Sequence, residues 1–216
     1  FYKFCDELGL YVIDETNLET HGTWQVLGAI RHDEHTLPDD HEEWRDAVLA
    51  RGQAMLERDK NHACILIWSC GNESFGGKTI FDLSNYFRER DPSRLVHYES
   101  IFHDRRFNGT SDMESQMYTT LANVKKFLAE NPQKPFILCE YTHAMGQSCG
   151  GMKLYTDLAK TDPRYQGGFI WDYKDQAFLV QNQDGVEYFA YGGDFDDHPT
   201  EFNFSGNGIT YADGSE

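Results

Sequence analysis

The chain has 216 residues, 39% of them hydrophobic and 14% aromatic, which is enough for one domain with a sizeable core and too apolar for a disordered segment. A formal net charge of −17 disfavours nucleic acid and anionic membrane surfaces as partners. No apolar run approaches the ~20 residues needed to span a bilayer. No signal-peptide pattern opens the chain, which begins at Phe1 rather than Met, so a piece of something larger is expected. The five cysteines (5, 64, 70, 139 and 149) are an odd number without a CxxC pair, and Cys64, Cys70 and Cys139 lie in apolar runs. They read as reduced core residues of a cytoplasmic protein.

In chain order, Phe1–Leu8 reads as the end of a helix with Phe1, Phe4 and Leu8 on one stripe, broken by Gly9. Leu10–Asp14 reads as a strand. The polar stretch Glu15–His41 is too long for a simple connection and reads as a functional loop. Glu42–Asp59 is a helix with an interrupted stripe of Trp44, Val48, Met55 and Leu56. Cys64–Ser69 is a buried strand, followed by the Gly71-Asn72-Glu73 turn. Thr79–Arg90 is a helix stopped by Asp91-Pro92. Leu95–Tyr98 is a short strand and Asp112–Tyr118 a weak one. Leu121–Glu130 is a helix whose Leu121, Val124 and Leu128 share a face; Thr120 can cap it and Asn131-Pro132 ends it. Phe136–Glu140 is a strand, Met152–Lys160 a helix, and Gly167–Tyr173 a last strand.

Six strands alternating with about five helices make an α/β pattern with a parallel sheet. A doubly wound sheet would satisfy it. However, no GxGxxG or P-loop sequence appears, and polar residues follow several different strands, which favours a (β/α)8 TIM barrel. A complete barrel has eight strands and about 250 residues, so this one is expected to be an incomplete barrel domain spanning 1–216, with about six of the eight strands present.

Two of the strands end in a carboxylate: CILIWSCGNE reaches Glu73 and PFILCE reaches Glu140. An unpaired buried carboxylate costs several kcal/mol or stays protonated. A surface or Arg-paired Glu is the ordinary alternative for either alone. Together, two such residues at the carboxyl ends of barrel strands point to a catalytic pair.

Four blocks carry a resemblance: Asp6–Gly22 (DELGLYVIDETNLETHG), Arg58–Ser74 (RDKNHACILIWSCGNES), Pro135–Gly151 (PFILCEYTHAMGQSCGG) and Gln166–Gln176 (QGGFIWDYKDQ). In order and spacing they resemble the central barrel of the family 2 glycoside hydrolases, and within it the large bacterial β-galactosidases. The likeness continues through Tyr191–Asp194 (YGGD) and Asn207-Gly208. The family's β-glucuronidases share the Asn-Glu turn and the nucleophile strand but not the Tyr-Thr-His-Ala-Met-Gly continuation, so a galactosidase is preferred.

The resemblance implies a retaining hydrolase of terminal β-D-galactosides such as lactose, acting by double displacement with Glu140 as nucleophile and Glu73 as acid/base. In such enzymes the two carboxyl groups lie about 5–5.5 Å apart. Asn72 would hydrogen-bond the sugar 2-OH, although Gly-Asn-Glu is also ordinary turn chemistry. Glu19 and His21, two apart and so on one side of an extended segment, would bind Mg²⁺ together with Glu73, although an isolated Glu-x-His is usually surface. A cation there would favour ionised Glu73. Tyr118 resembles the tyrosine that hydrogen-bonds the nucleophile, with core packing as its alternative. His143 would touch a galactose hydroxyl, and Trp171 would form the apolar wall under the ring, unless it is a barrel-core residue. Phe204 and Asn207 resemble residues near a Na⁺ site, with Asn207 also expected among the substrate-binding residues, while Thr200 stands where the family pattern has Asn. The resemblance further implies a multidomain, homo-oligomeric parent.

Substrate-binding His residues from earlier strands and an Asp from an N-terminal domain have no counterpart here, so an inactive barrel fragment is the competing reading, and a β-glucuronidase-like relative a further one. Because tilt and shear tie a barrel to its strand number, the strands at Leu10–Asp14 and Gly167–Tyr173 are expected to border a gap rather than pair with each other.

Overall fold

The computed structural model describes residues 1–26, 29–131 and 133–215. The strand–helix alternation appears as α1 (Tyr2–Leu8), β1 (Val12–Glu15), a small hairpin of β2 (Gln25–Val26) and β3 (Ala29–Ile30), α2 (Glu42–Asp59), β4 (Ile65–Ser69), α3 (Lys78–Arg90), β5 (Leu95–His97), β6 (Glu114–Met117), α4 (Leu121–Glu130), β7 (Phe136–Tyr141), α5 (Met152–Thr161) and β8 (Tyr165–Ile170). A second hairpin, β9 (Phe178–Gln181) with β10 (Glu187–Ala190), follows. The larger strands form two sheets, ordered β1-β4-β5 and β6-β7-β8. Thus β1 and β8 are each an end strand of their own sheet, as the incomplete-barrel reading expects, and no closed barrel is present among the described residues.

The chain divides into two units, Phe1–Gln116 with Asn131–Ile137, and Met117–Glu130 with Leu138–Glu216. In the first unit, β1 runs parallel to β4 and β4 parallel to β5, with Glu15 opposite Ser69 and Ser69 opposite His97. This register aligns three polar side chains. The Ser69 hydroxyl donates to Glu15 Oε2 (2.9 Å) and is hydrogen-bonded to His97 Nδ1 (2.9 Å), while His97 Nε2 is hydrogen-bonded to the Ser115 hydroxyl (2.7 Å). Burial pushes the His97 pKa down to about 4, so the imidazole is neutral and serves as a structural bridge.

The core of this unit packs α2 and α3 on β4: Val48, Met55, Leu56, Ile80, Leu83 and Phe87 close over Trp68, which is fully buried. The Asp91 stop is part of this packing, since its Oδ2 accepts the Trp68 indole N–H at 2.9 Å and pairs with Arg94 at 2.5 Å. The Tyr2 hydroxyl of α1 donates to Asp14 of β1 at 2.6 Å. Burial raises the Asp14 pKa to about 6; the Tyr2 bond opposes this and nearby Asp59 adds to it.

Several expectations are corrected. The first strand begins at Val12 rather than Leu10 and reaches Glu15; the last covers Tyr165–Ile170 rather than Gly167–Tyr173, because the ladder ends where the chain turns toward residues 172–176. At α1, the capping Phe1 and the helix residues Phe4 and Leu8 are exposed while Cys5 is buried, since the inward face of this short helix is set by Tyr2 and Cys5. Trp44 is likewise exposed at the first turn of α2. Strand β4 is not covered evenly: Trp68 lies under α3, but Leu66, two residues earlier on the same face, is 44% exposed. None of the five cysteines is in a disulfide; Cys5, Cys64 and Cys70 are buried, whereas Cys139 is only half-buried. The loop Glu15–His41 contains β2 and β3 rather than being uniformly irregular.

Candidate active site

In the first unit the chain leaves β1 through Thr16–Thr20 and leaves β4 through Cys70–Ser74, and the two segments run side by side. Asn72 N–H donates to Leu18 O at 2.9 Å, Glu19 bridges Asn72 in parallel, and the Asn72 side chain donates to Glu19 Oε1 at 3.3 Å. Gly71 makes this approach feasible. Its φ is 140°, and a Cβ would lie 2.8 Å from Leu18 O and 2.9 Å from Leu18 Cβ. The tight contact delivers Glu73 to Glu19 and His21. His21 Nδ1 lies 3.2 Å from Glu19 and 3.3 Å from Glu73 Oε2, and one ligand atom from each of the three falls within 4.8 Å of the others. The expected same-side placement of Glu19 and His21 is therefore met, but through a turn: His21 opens a short 3-10 segment, not an extended one. Two carboxylates and an imidazole suit a divalent cation completed by water, imidazole being the less usual partner for Mg²⁺.

Glu73 itself sits at φ 44°, a left-handed conformation that costs a non-glycine residue about 1–3 kcal/mol unless its surroundings impose it. They do so here. Glu73 N–H donates to Glu99 Oε1 at 2.6 Å, Glu73 O accepts the Trp24 indole N–H at 2.9 Å, and Ser74 N–H donates to the Tyr98 hydroxyl at 3.2 Å. Burial raises the Glu73 pKa; His21 works against this and Glu19 with it. A raised pKa suits a residue that must hold a proton near neutrality.

Burial also pushes the Glu99 carboxyl up to about 8, against its hydrogen bonds from Ser100 and Glu73. Glu99 and Trp24 were not singled out from sequence. Glu99 had a readable signal, since it follows Leu95–Tyr98 at the same carboxyl-end position that marked Glu73 and Glu140.

In the second unit, Glu140 lies on β7, half-buried, and accepts a short hydrogen bond from the Tyr118 hydroxyl. Tyr118 N–H donates to Glu140 O at 2.9 Å, and Tyr118 is itself left-handed at φ 52°. At 43% exposure it is not a core residue. The Tyr118 ring lies 5.6 Å from His143, which meets the Phe204 ring edge-on at 6.1 Å. Trp171 follows β8 and is 38% exposed, so it is not a barrel-core residue. Its carbonyl accepts from Ala144 N–H at 2.8 Å, and the next residue, Asp172, donates to Asn207 O at 2.8 Å. Gly168 draws β8 onto β7, where a Cβ would stand 2.9 Å from Leu138 Cβ. Asn207 is 1% exposed and its Oδ1 has no hydrogen-bond partner among the described residues. Such an orphaned buried oxygen fits a cation ligand.

Of the residues expected from sequence, Glu19, His21, Asn72 and Glu73 cluster in the first unit. Tyr118, Glu140, His143, Trp171, Phe204 and Asn207 form one connected set in the second. Thr200, the departure from the family pattern, has its hydroxyl where a Cβ on Gly192 would come within 2.6 Å.

The sequence is 57% identical to "Beta-galactosidase" of Halalkalibacterium halodurans, covering 99% of this chain and 21% of that protein. It is 54% identical to "Beta-galactosidase" of Clostridium acetobutylicum, covering 99% of this chain and 24% of that protein. The chain thus spans about a quarter or less of the length of these relatives. Among solved structures, an FMN-binding beta-glucuronidase from Facaelibacterium prausnitzii L2-6 superposes with a TM-score of 0.61 at 19% identity, over all of this chain and 34% of that one, which supports the fold alone. Residues 1–215 match the "Glycosyl hydrolases family 2, TIM barrel domain", and the chain belongs to that family.

Proposed function

We propose that this chain is the catalytic barrel of a retaining β-galactosidase, with Glu140 as nucleophile and Glu73 as general acid/base, acting within a longer protein. The observation that carries the substrate is the 57% identity across nearly the whole chain to a β-galactosidase; the likeness to a glucuronidase structure rests on only 19% identity. In this reading Glu140 attacks the anomeric carbon while Glu73 protonates the departing oxygen. Glu73 then takes a proton from water as the glycosyl-enzyme ester is hydrolysed. The Tyr118 hydroxyl, donating to Glu140, orients the nucleophile and stabilises it as it leaves the sugar. Asn72 would meet the sugar 2-OH, His143 another hydroxyl, and Trp171 the apolar face of the ring.

Glu19, His21 and Glu73 would hold Mg²⁺, whose charge favours the ionised form of Glu73. Asn207, with Phe204 of the same segment, would take Na⁺, and the buried Asn207 Oδ1, unpartnered among the described residues, supports this. A cytoplasmic location accords with five cysteines that form no disulfide. Homo-oligomerisation of the longer protein belongs to the same reading and rests on the family resemblance.

Trapping the full-length protein with a 2-fluoro-galactoside and mapping the label by peptide mass tests the proposal. Label on Glu140 is the expected result, and label on another carboxylate, or only with a 2-fluoro-glucuronide, would reject it.

A further inference from the structure

Both main-chain polar groups of Glu73 are held by side chains, not by a helix or a ladder. Its N–H donates to Glu99 Oε1 at 2.6 Å and its carbonyl accepts from the Trp24 indole at 2.9 Å. Glu99 is 2% exposed and Trp24 3%. The same Glu99 oxygen also accepts from the Ser100 hydroxyl at 2.6 Å, which fixes the rotation of the carboxyl group. The Trp24 ring is packed edge-on to Phe75 at 5.8 Å and tilted against His103 at 5.0 Å. Neither residue is therefore free to follow Glu73 if it shifts. A buried carboxyl needs specific partners to be kept, and here one of them is the backbone of the acid/base.

We infer that Glu99 is a positioning residue for Glu73, acting with Trp24 as a two-sided clamp that imposes the left-handed backbone from which the Glu73 side chain is aimed. The inference rests on the acid/base role proposed above. Rotation about φ swings the Cα–Cβ bond, so without the clamp Glu73 relaxes toward the ordinary α or β regions and its carboxyl moves away. A displacement of about 1 Å in a catalytic group costs on the order of 10²-fold in rate. The loss falls on the step that needs a proton delivered, not on sugar binding.

The test uses the full-length protein carrying Glu99→Leu, Glu99→Gln or Trp24→Phe. Glu99→Leu should lower kcat on alkyl galactosides, which need protonation, by roughly 10- to 100-fold. Activated aryl galactosides should lose less than about 3-fold and KM should stay unchanged, because they need little protonation. Glu99→Gln keeps a carbonyl oxygen facing the Glu73 N–H and should restore most of the loss. Trp24→Phe keeps a ring and loses one donor; it should show the same substrate split at smaller size, and it decides the matter if Glu99→Leu fails to fold. An equal loss on both substrate classes, or none, overturns the inference. Kinetics of Glu73→Ala and crystal structures of the clamp variants separate it from the acid/base reading: if Glu73→Ala shows no leaving-group dependence, that reading fails, while a residue 73 still at φ near 44° in the clamp variants overturns the positioning role independently.

Discussion

The two carboxylates are carried by different kinds of scaffold. Glu73 sits in a turn, with a backbone conformation that a glutamate does not adopt unaided, and is held there by buried Glu99, buried Trp24 and the close approach of Gly71 to Leu18. Glu140 sits in a regular strand whose ladder fixes its backbone; Tyr118, which hydrogen-bonds it, and Trp171, whose N–H donates to the carbonyl of the next strand residue, Tyr141, are 43% and 38% exposed. A residue on a strand needs no special support beyond its neighbours' hydrogen bonds. A residue on a left-handed turn needs a dedicated set of partners, so its function extends to residues that never meet a substrate.

Glu140→Gln keeps shape and ladder but removes the charge, so turnover should fall by on the order of 10⁴- to 10⁶-fold, as when a covalent nucleophile is lost. An unchanged unfolding midpoint in calorimetry would show that Glu140 contributes chemistry and not scaffold. Glu73→Ala should cost roughly 10²- to 10⁴-fold on poor leaving groups and far less on activated aryl galactosides. Added azide should yield β-galactosyl azide, readable by NMR; equal losses without that product would leave Glu73 as a metal ligand only.

Tyr118→Phe removes one hydrogen bond to a carboxylate and should slow turnover roughly 10- to 100-fold, with trapped glycosyl-enzyme accumulating in rapid-quench experiments. Gly71→Ala forces a methyl group against Leu18 and disfavours φ 140°, so about 1–3 kcal/mol of stability should be lost, and with it the affinity of the proposed Glu19–His21–Glu73 site for Mg²⁺. Titration calorimetry with the metal alone checks the second part, and unaltered affinity would mean the Glu19–Asn72 contact does not organise the cluster.

The smallest effect concerns scaffold alone. Asp14 has its pKa raised to about 6 in the fold, so the unfolded state releases its proton first as pH rises. Its contribution to stability is full below about pH 4, the unfolded value, and fades as pH climbs through about 6. Asp14→Asn should remove this part of the slope, a change of about a few degrees in the thermal midpoint between pH 4 and 7. Identical slopes for the two proteins would show that Asp14 does not titrate with folding.

The strand–helix alternation was legible because each element carries its own period: α2 and α4 keep the bounds read from sequence, although Pro132 of the expected Asn131-Pro132 stop lies outside the described residues. Within the site, local order was legible too, since Asn72 and Glu73 adjoin in sequence and the Glu19-Thr20-His21 triplet needs only a turn to converge. The facing of short or terminal elements was not. Phe1, Phe4 and Leu8 share a stripe in sequence yet lie outward at α1, because only the partners present in three dimensions select which side of a short helix is buried. Nor could sequence reveal that Trp24 and Glu99, 49 residues before and 26 after Glu73, would close on its peptide groups. Such contacts follow from the β1-β4-β5 order and the passage of loops over strand ends. They are long-range hydrogen bonds, with no periodicity or spacing to announce them, and folding alone brings their partners together.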